Sequence, residues 1–245
     1  MVVKGADHII TCTKTAQENF MNLYHIDNVS MIRNGFDSDD FEFLKNQSIS
    51  EEKDLNRLEI LYYGRLSPLK TRINNLLQAM SELKKERNNI SKYIQPKLKV
   101  IGNNSKEKLL RDYPDIDGDI DFISYQPHNV CLENVRKTDI LLLLATNMKE
   151  TEFFPAKIYE YIKSRKPILA VVTKKGELTS FLESYGNSFV ALEDDIENLK
   201  KNLIKLMELK KDNKLILSEN FDFINQHERK NQTGELVKII EKISK

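Results

Sequence analysis

An α/β fold built on a doubly wound, mostly parallel sheet with helices on both faces is what this sequence predicts, and three observations carry that reading. Apolar runs of strand length alternate with stretches of helical periodicity along the chain. Three of the eight glycines, Gly35, Gly64 and Gly102, close such runs, in S-M-I-R-N-G, I-L-Y-Y-G and K-V-I-G. Strands that end at glycine and open onto a loop are how Rossmann-like sheets present backbone to a ligand. The run 140–144 is apolar at every position, as in a strand covered on both faces.

Taken in order, strands are predicted at 8–11, 29–32, 59–63, 98–101, 121–123, 140–144, 167–172 and 188–191. Ile73, Leu76, Leu77, Met80 and Leu83 recur at helical spacing and mark a helix over 72–87. Further helices are predicted at 15–24, 106–113, 130–136, 155–164, 176–184, 195–209 and 228–243. The stretch 46–57 is polar and reads as a linker or exposed loop. The expected organisation is 1–45 as a stretch too short for its own core, 46–57 as linker, 58–225 as the Rossmann-like domain and 226–245 as a C-terminal helix. That last helix is amphipathic through Leu236, Ile239, Ile240 and Ile243, and self-association through it is expected if the face stays open.

Charge is nearly balanced, with 38 Lys and Arg against 37 Asp and Glu. A dedicated nucleic-acid binder would show a basic excess, so no nucleic-acid partner is expected. Cys12 and Cys131 stand in unrelated contexts and read as reduced thiols. No apolar run is long enough to span a bilayer, and no charged-then-apolar leader is visible. A cytoplasmic protein is expected, with peripheral contact at the inner membrane face compatible with its scattered lysines.

The most informative stretch is E-F-F-P-A-K-I-Y-E-Y-I-K-S-R-K-P-I-L-A-V, from Glu152 to Val171. Pro155 suits the first helical position, which would leave the free amides and positive dipole end of that helix facing an anion. Glu152 lies just before the helix and Glu160 is placed about two turns into it. A phosphate at the helix start with hydroxyls near both carboxylates is the shape of a sugar nucleotide. The loop Gly64-Arg65-Leu66-Ser67-Pro68-Leu69-Lys70 follows a strand and precedes a helix, so Arg65 and Lys70 can face a diphosphate. The same string falls one glycine short of a P-loop, because Leu69 stands where glycine is required. Asp37-Ser38-Asp39 reads as a turn and cap cluster. Asp115, Asp117, Asp119 and Asp121 read as an acidic turn, since the glycine is misplaced for a calcium loop. His8, His25, His128 and His227 have no ligand spacing, so no metal is expected, and His128 reads as a surface residue.

In this order the motifs resemble the retaining family 4 (group 1) glycosyltransferases of the GT-B fold. A-D-H-I-I-T-C-T resembles the last strand of that family's first domain, and I-R-N-G-F-D its interdomain connection. Y-Y-G-R-L-S-P-L-K resembles the start of the donor domain, followed by V-I-G, F-I-S-Y, T-D-I-L-L-L, the two glutamates separated by seven residues, and K-P-I-L-A. The resemblance implies that Arg65 and Lys70 bind the diphosphate and stabilise the leaving group, catalytic together with Glu152, and that Gly64 and Gly102 are among the donor-binding residues. It implies that Glu152 faces the donor sugar and Glu160 the ribose hydroxyls, with Phe154, Pro155 and Ala156 forming a turn along sugar and phosphate. Tyr125 and Gln126 would lie near the base. Ser124 and Thr71 stand where the family usually has glycine.

The resemblance further implies a metal-independent transfer, with no cofactor, from a nucleotide-diphosphate sugar to a hydroxyl of an acceptor glycan or lipid-linked glycan. Residues 1–45 would then be the end of the acceptor domain, most of which lies outside this sequence, and the chain alone would be poorly active. Two other readings stay open: a non-catalytic nucleotide-sugar-binding module, and a sugar-nucleotide epimerase of the same architecture.

Overall fold

The computed structural model describes residues 2–45, 54–66, 70–86, 90, 92–102, 105–145, 147–148, 151–152 and 154–244. Near the N-terminus, β1 (Ile9–Thr11) and β2 (Val29–Met31) pair in parallel around α1 (Lys14–Tyr24). The Thr13 side chain caps α1 by accepting from Ala16 N, and His25 closes it with φ 52°. A single helical turn, α2 (Glu42–Lys45), follows. The predicted linker lies largely outside the described residues.

The main sheet contains β3 (Arg57–Tyr63), β4 (Gln95–Ile101), β5 (Ile120–Ile123) and β6 (Ile140–Ala145). A small antiparallel hairpin of β7 (Asn147–Met148) and β8 (Thr151–Glu152) then leads to β9 (Ile168–Val172) and β10 (Ser188–Leu192). Excluding the hairpin, these form one six-stranded parallel sheet in the order β10-β9-β6-β3-β4-β5. The chain starts at β3 in the centre, runs outward through β4 and β5, then returns beside β3 to build the other half. Neighbouring connections therefore diverge at the carboxyl ends of β3 and β6, where doubly wound sheets hold ligands. All eight predicted strands form, with β4 starting earlier than its apolar pattern indicated.

Side-chain alternation divides the core between the two faces. Leu58, Ile60, Tyr62, Leu98, Val100, Leu142 and Leu144 pack against α3 (Lys70–Glu86) and α8 (Ile196–Lys211). Leu61, Ile101, Leu141, Leu143, Ile168 and Ala170 pack on the opposite side, against α5 (His128–Lys137), α6 (Lys157–Ser164) and α7 (Glu177–Tyr185). Every residue of β6 is buried, as its unbroken apolar run requires.

The predicted helix at 106–113 stops early. It ends at Leu110 as α4 (Lys106–Leu110), and a six-residue 3₁₀ helix begins at Pro114. Proline disfavours helical backbone in the residue before it, here Tyr113. The acidic turn is a structural ion-pair cluster, with Asp119 held by Arg57 and Lys84. After α9 (Phe221–Asn225), the terminal α10 (Arg229–Ile243) is tied to the rest through Phe36, whose backbone bonds His227 O and Arg229 N. α10 has no buried residue, and Leu236, Val237, Ile240 and Ile243 are exposed. Among the described residues, no helix is long and apolar enough to cross a membrane.

One carboxylate ties the N-terminal β-α-β segment to the sheet. Glu177, at the start of α7, accepts from the backbone amides of Lys14 and Thr15 at 2.9 and 3.2 Å, and from the Arg33 guanidinium. It thus places negative charge at the N-terminus of α1. Burial pushes the Glu177 carboxyl up, but the two amides and Arg33 outweigh it and hold it below the usual 4.5. A lowered carboxylate contributes stability that is complete above 4.5 and fades as pH falls through the folded value. Glu177→Gln should cost roughly 1–2 kcal/mol at neutral pH. In urea unfolding, the gap between wild type and variant should close in acid; a gap independent of pH would contradict the assignment.

Candidate functional site

At the carboxyl edge of the sheet, two glycines carry the chain out of its strands. Gly64 donates its amide to Ile101 O at 2.8 Å, and Gly102 donates to Ile123 O at 2.9 Å, so each extends the ladder one residue past its strand. Both then turn with positive φ, 133° and 143°, where residues with a Cβ are strained. The Tyr62 hydroxyl donates to Arg65 O at 3.0 Å and pins the loop after β3. Between these turns lies a cavity of about 300 Å³, lined by Tyr63, Gly64, Arg65, Ile101, Gly102, Tyr125, Gln126, His128 and Cys131. Tyr125 is largely exposed at its rim. Gln126 is folded back on its own turn, its amide donating to Ser124 O at 3.4 Å.

Glu160 is brought to this cavity by α6. The Tyr63 hydroxyl donates to one of its oxygens, and His128 Nε2 lies 3.1 Å from the other. Burial, followed by Tyr161 and Glu160, holds the Tyr63 phenol well above its ordinary range, so it remains a donor. The ring is fixed edge-on to Tyr161, 5.6 Å between centroids. The carboxylate is therefore oriented by groups from a strand end and a separate helix start, which leaves its remaining lone pairs available to vicinal hydroxyls. Lys157, one turn before Glu160 on α6, donates to Tyr63 O. Burial pushes the Cys131 thiol up, and it lines the cavity as a neutral wall.

The start of α6 differs from the sequence expectation. Pro155 precedes the helix by two residues, with Ala156 at the cap, and Glu160 falls in the first turn rather than about two turns in. The amides of Ile158 and Tyr159 already donate to Pro155 O and Ala156 O at 3.0 and 3.2 Å, so they do not face an anion. The tight initial turn consumes donors that an open helix start would leave free.

Five of the expected residues meet in the cavity wall: Gly64, Arg65, Gly102, Tyr125 and Gln126. Glu160 joins them through Tyr63 and His128. Phe154 does not line the cavity; it packs edge-on to Phe181 at 5.5 Å with Arg33 over its ring at 4.8 Å, and Pro155 is buried beside it. Lys70 begins α3, and Glu152 ends β8, five residues before α6. Their side chains, like Ser67, Pro68 and Leu69, lie outside what the structure describes. Tyr63 and Lys157 were not singled out in the sequence; His128 reads there as a surface histidine in a loop after a strand, and it is exposed, with its ring at Glu160. The first two carried a positional signal: Tyr63 immediately precedes Gly64, and Lys157 stands three residues before Glu160, on the same helix face. A second cavity, of about 400 Å³, opens beside Arg33, Glu177, Phe181, His227 and Gln232. Among the described residues, no group of three or more His, Cys, Asp and Glu is arranged to hold a metal ion.

A family model described as glycosyl transferases group 1 matches residues 44–222. No curated protein sequence matches the chain. Among solved structures, the chain resembles a variant of TarM from S. aureus in complex with fondaparinux, alpha-GlcNAc-glycerol and UDP. The identity is 14% and the TM-score 0.65, over 97% of this chain and 44% of that one. It resembles sucrose-phosphate synthase from Thermosynechococcus elongatus at 13% identity and TM-score 0.69, over 99% and 59% of the two chains. It also resembles WaaG, a glycosyltransferase involved in lipopolysaccharide biosynthesis, at 15% identity and TM-score 0.59, over 95% and 60%. At these identities the likeness shows a shared GT-B-type fold, and this chain spans between 44% and 60% of the length of those three proteins.

Proposed function

The chain belongs to the group 1 glycosyltransferases, and from that premise we propose that it supplies the donor-binding half of a sugar transfer from a nucleotide-diphosphate sugar to an acceptor hydroxyl. The observation that supports this most directly is the placing of Glu160, held by Tyr63 and His128 beside the Gly64 and Gly102 turns. An oriented carboxylate above glycine backbone is what a ribose followed by a diphosphate needs.

In this scheme the base lies toward Tyr125 and Gln126, the ribose hydroxyls donate to Glu160, and the diphosphate lies at Gly64 and Arg65, with Lys70 assigned to it as a further cation. Glu152 and the backbone at Phe154, Pro155 and Ala156 flank the sugar. The acceptor oxygen bonds to the anomeric carbon with retained configuration as the bond to the diphosphate oxygen breaks, and the acceptor's proton leaves with the diphosphate. Arg65 and Lys70 stabilise the charge that develops on the leaving group, so the scheme assigns that work to fixed cations and uses no metal. The acceptor is a glycan or lipid-linked glycan of polysaccharide or glycoconjugate synthesis, met on the cytoplasmic side.

Calorimetric titration with UDP, GDP and ADP, with and without magnesium, tests the reading. One diphosphate should bind without metal, and Arg65→Ala should weaken it at least about tenfold, since a charge-assisted contact is lost. Equal binding by Arg65→Ala would contradict the diphosphate assignment.

A further inference from the structure

Lys157, one turn before Glu160 on α6, is a cation that the scheme above leaves without a task. Its ammonium donates to Tyr63 O and lies 4.1 Å above the Tyr62 ring and 5.2 Å from the Tyr63 ring centre. A Cβ built on Gly64 would fall 2.7 Å from its Nζ, so the amine occupies the space that a side chain at position 64 would fill. Among the described residues no carboxylate forms an ion pair with it; Glu160, the nearest on its own helix, is engaged by Tyr63 and His128. A cation buried against a carbonyl and two aromatic faces is under-compensated. It is also aimed at the turn where a strand opens onto a cavity.

We propose that Lys157 is a further diphosphate-binding cation of this site, its ammonium presented at the Gly64 turn, an inference that rests on the donor-site reading above. The arrangement explains why position 64 must lack a side chain beyond the demands of its φ. It also adds a second cation at the turn that carries Arg65, so the leaving group would meet two positive charges there.

A measurable consequence follows from the burial. Loss of water lowers Lys157 to about 8, against the opposing pull of the Glu160 carboxylate. Of the other groups facing it, the Tyr62 and Tyr63 phenols and the Cys131 thiol are all raised, and stay neutral through this range. A diphosphate arriving beside the amine raises it again, because a nearby anion favours the charged form. Binding above 8 therefore takes up a proton, and affinity falls as pH rises through 8.

The test is calorimetry of the whole chain with UDP, GDP and ADP in two buffers of different ionisation enthalpy. At about pH 8.5 the terminal phosphate, with its second pKa near 6, is already fully ionised and contributes no uptake. Wild type should take up a proton approaching one equivalent there. Lys157→Met should bind about 10- to 100-fold more weakly with no uptake, and Lys157→Arg should retain affinity, also without uptake. Thermal melts establish that each variant is folded, and should Lys157→Met fail to fold, Lys157→Arg alone decides through its proton count. A folded Lys157→Met that binds like wild type, or proton uptake that persists in either variant, overturns the role of Lys157 while the donor site stands. Wild type that binds none of the three diphosphates overturns the donor-site reading and this inference with it.

Discussion

Asp139→Ala is expected to destabilise the protein by about 3–5 kcal/mol, enough to unfold much of a typical domain's margin. Asp139 sits just before the central strand β6, at the edge of the sheet opposite the cavity. Its carboxylate accepts from Lys210 of α8 at 2.6 Å and from the backbone amide of Glu59 at 2.9 Å. The two side chains retain only 5% and 8% of their exposure. Deleting the carboxylate leaves an ammonium buried without its counter-ion and a β3 amide without its acceptor. Replacing both partners together is a different experiment, because an apolar pair of similar volume removes the stranded charge. Asp139→Ala with Lys210→Met should therefore recover most of the loss. Urea unfolding of the three variants measures this, and a single variant as stable as wild type would show that the pair is not a fixed part of the core.

Glu160→Ala should weaken nucleoside-diphosphate binding about 100-fold, the loss of two hydrogen bonds to a charged acceptor at a partly desolvated site. The carboxylate is 23% exposed, sheltered by Tyr63 and His128, so its contacts are only partly screened by water. The same change strips Tyr63 of its acceptor, adding a fold cost of roughly 1–3 kcal/mol for a partly buried hydroxyl left unpaired. Glu160→Gln preserves an acceptor for Tyr63 but weakens the contact to hydroxyls, so its affinity should fall between the two while stability stays near wild type. Tyr63→Phe should loosen the carboxylate without removing it and lower affinity by less than Glu160→Ala. Isothermal titration with thermal melts separates the two effects; a Glu160→Ala protein with unaltered affinity would remove Glu160 from the ribose.

The sheet was legible because its physics is written locally. A short all-apolar run such as 140–144, set among β-α alternation, fits a strand buried on both faces, and Gly64 and Gly102 mark strand ends by the backbone freedom they supply. Gly64, Arg65 and Gly102 could be picked out because each follows the end of an apolar strand, and the structure brings them to one cavity wall; Glu160 was picked out with them, although its offset from the helix start was misjudged. His128 was not, because a lone histidine after a strand has no spacing to read, and only the fold puts it 3.1 Å from Glu160. Tyr63 read as one more apolar strand residue, and Lys157 as one of many surface lysines, until α6 was laid across the end of β3. The start of α6 was misplaced by two residues because proline tolerance at a first turn does not specify which residue opens it. The β7–β8 hairpin has two-residue strands in a polar stretch and carries no period at all.

The most direct test of the donor site is amide-shift mapping by NMR of the isotope-labelled chain, titrated with whichever of UDP, GDP and ADP binds. The largest shifts should fall on Gly64, Arg65, Gly102 and Gln126, with slow or intermediate exchange at Lys157 and Glu160. Shifts concentrated instead around Arg33, Phe181 and His227, at the second cavity, or scattered without a centre, would contradict it.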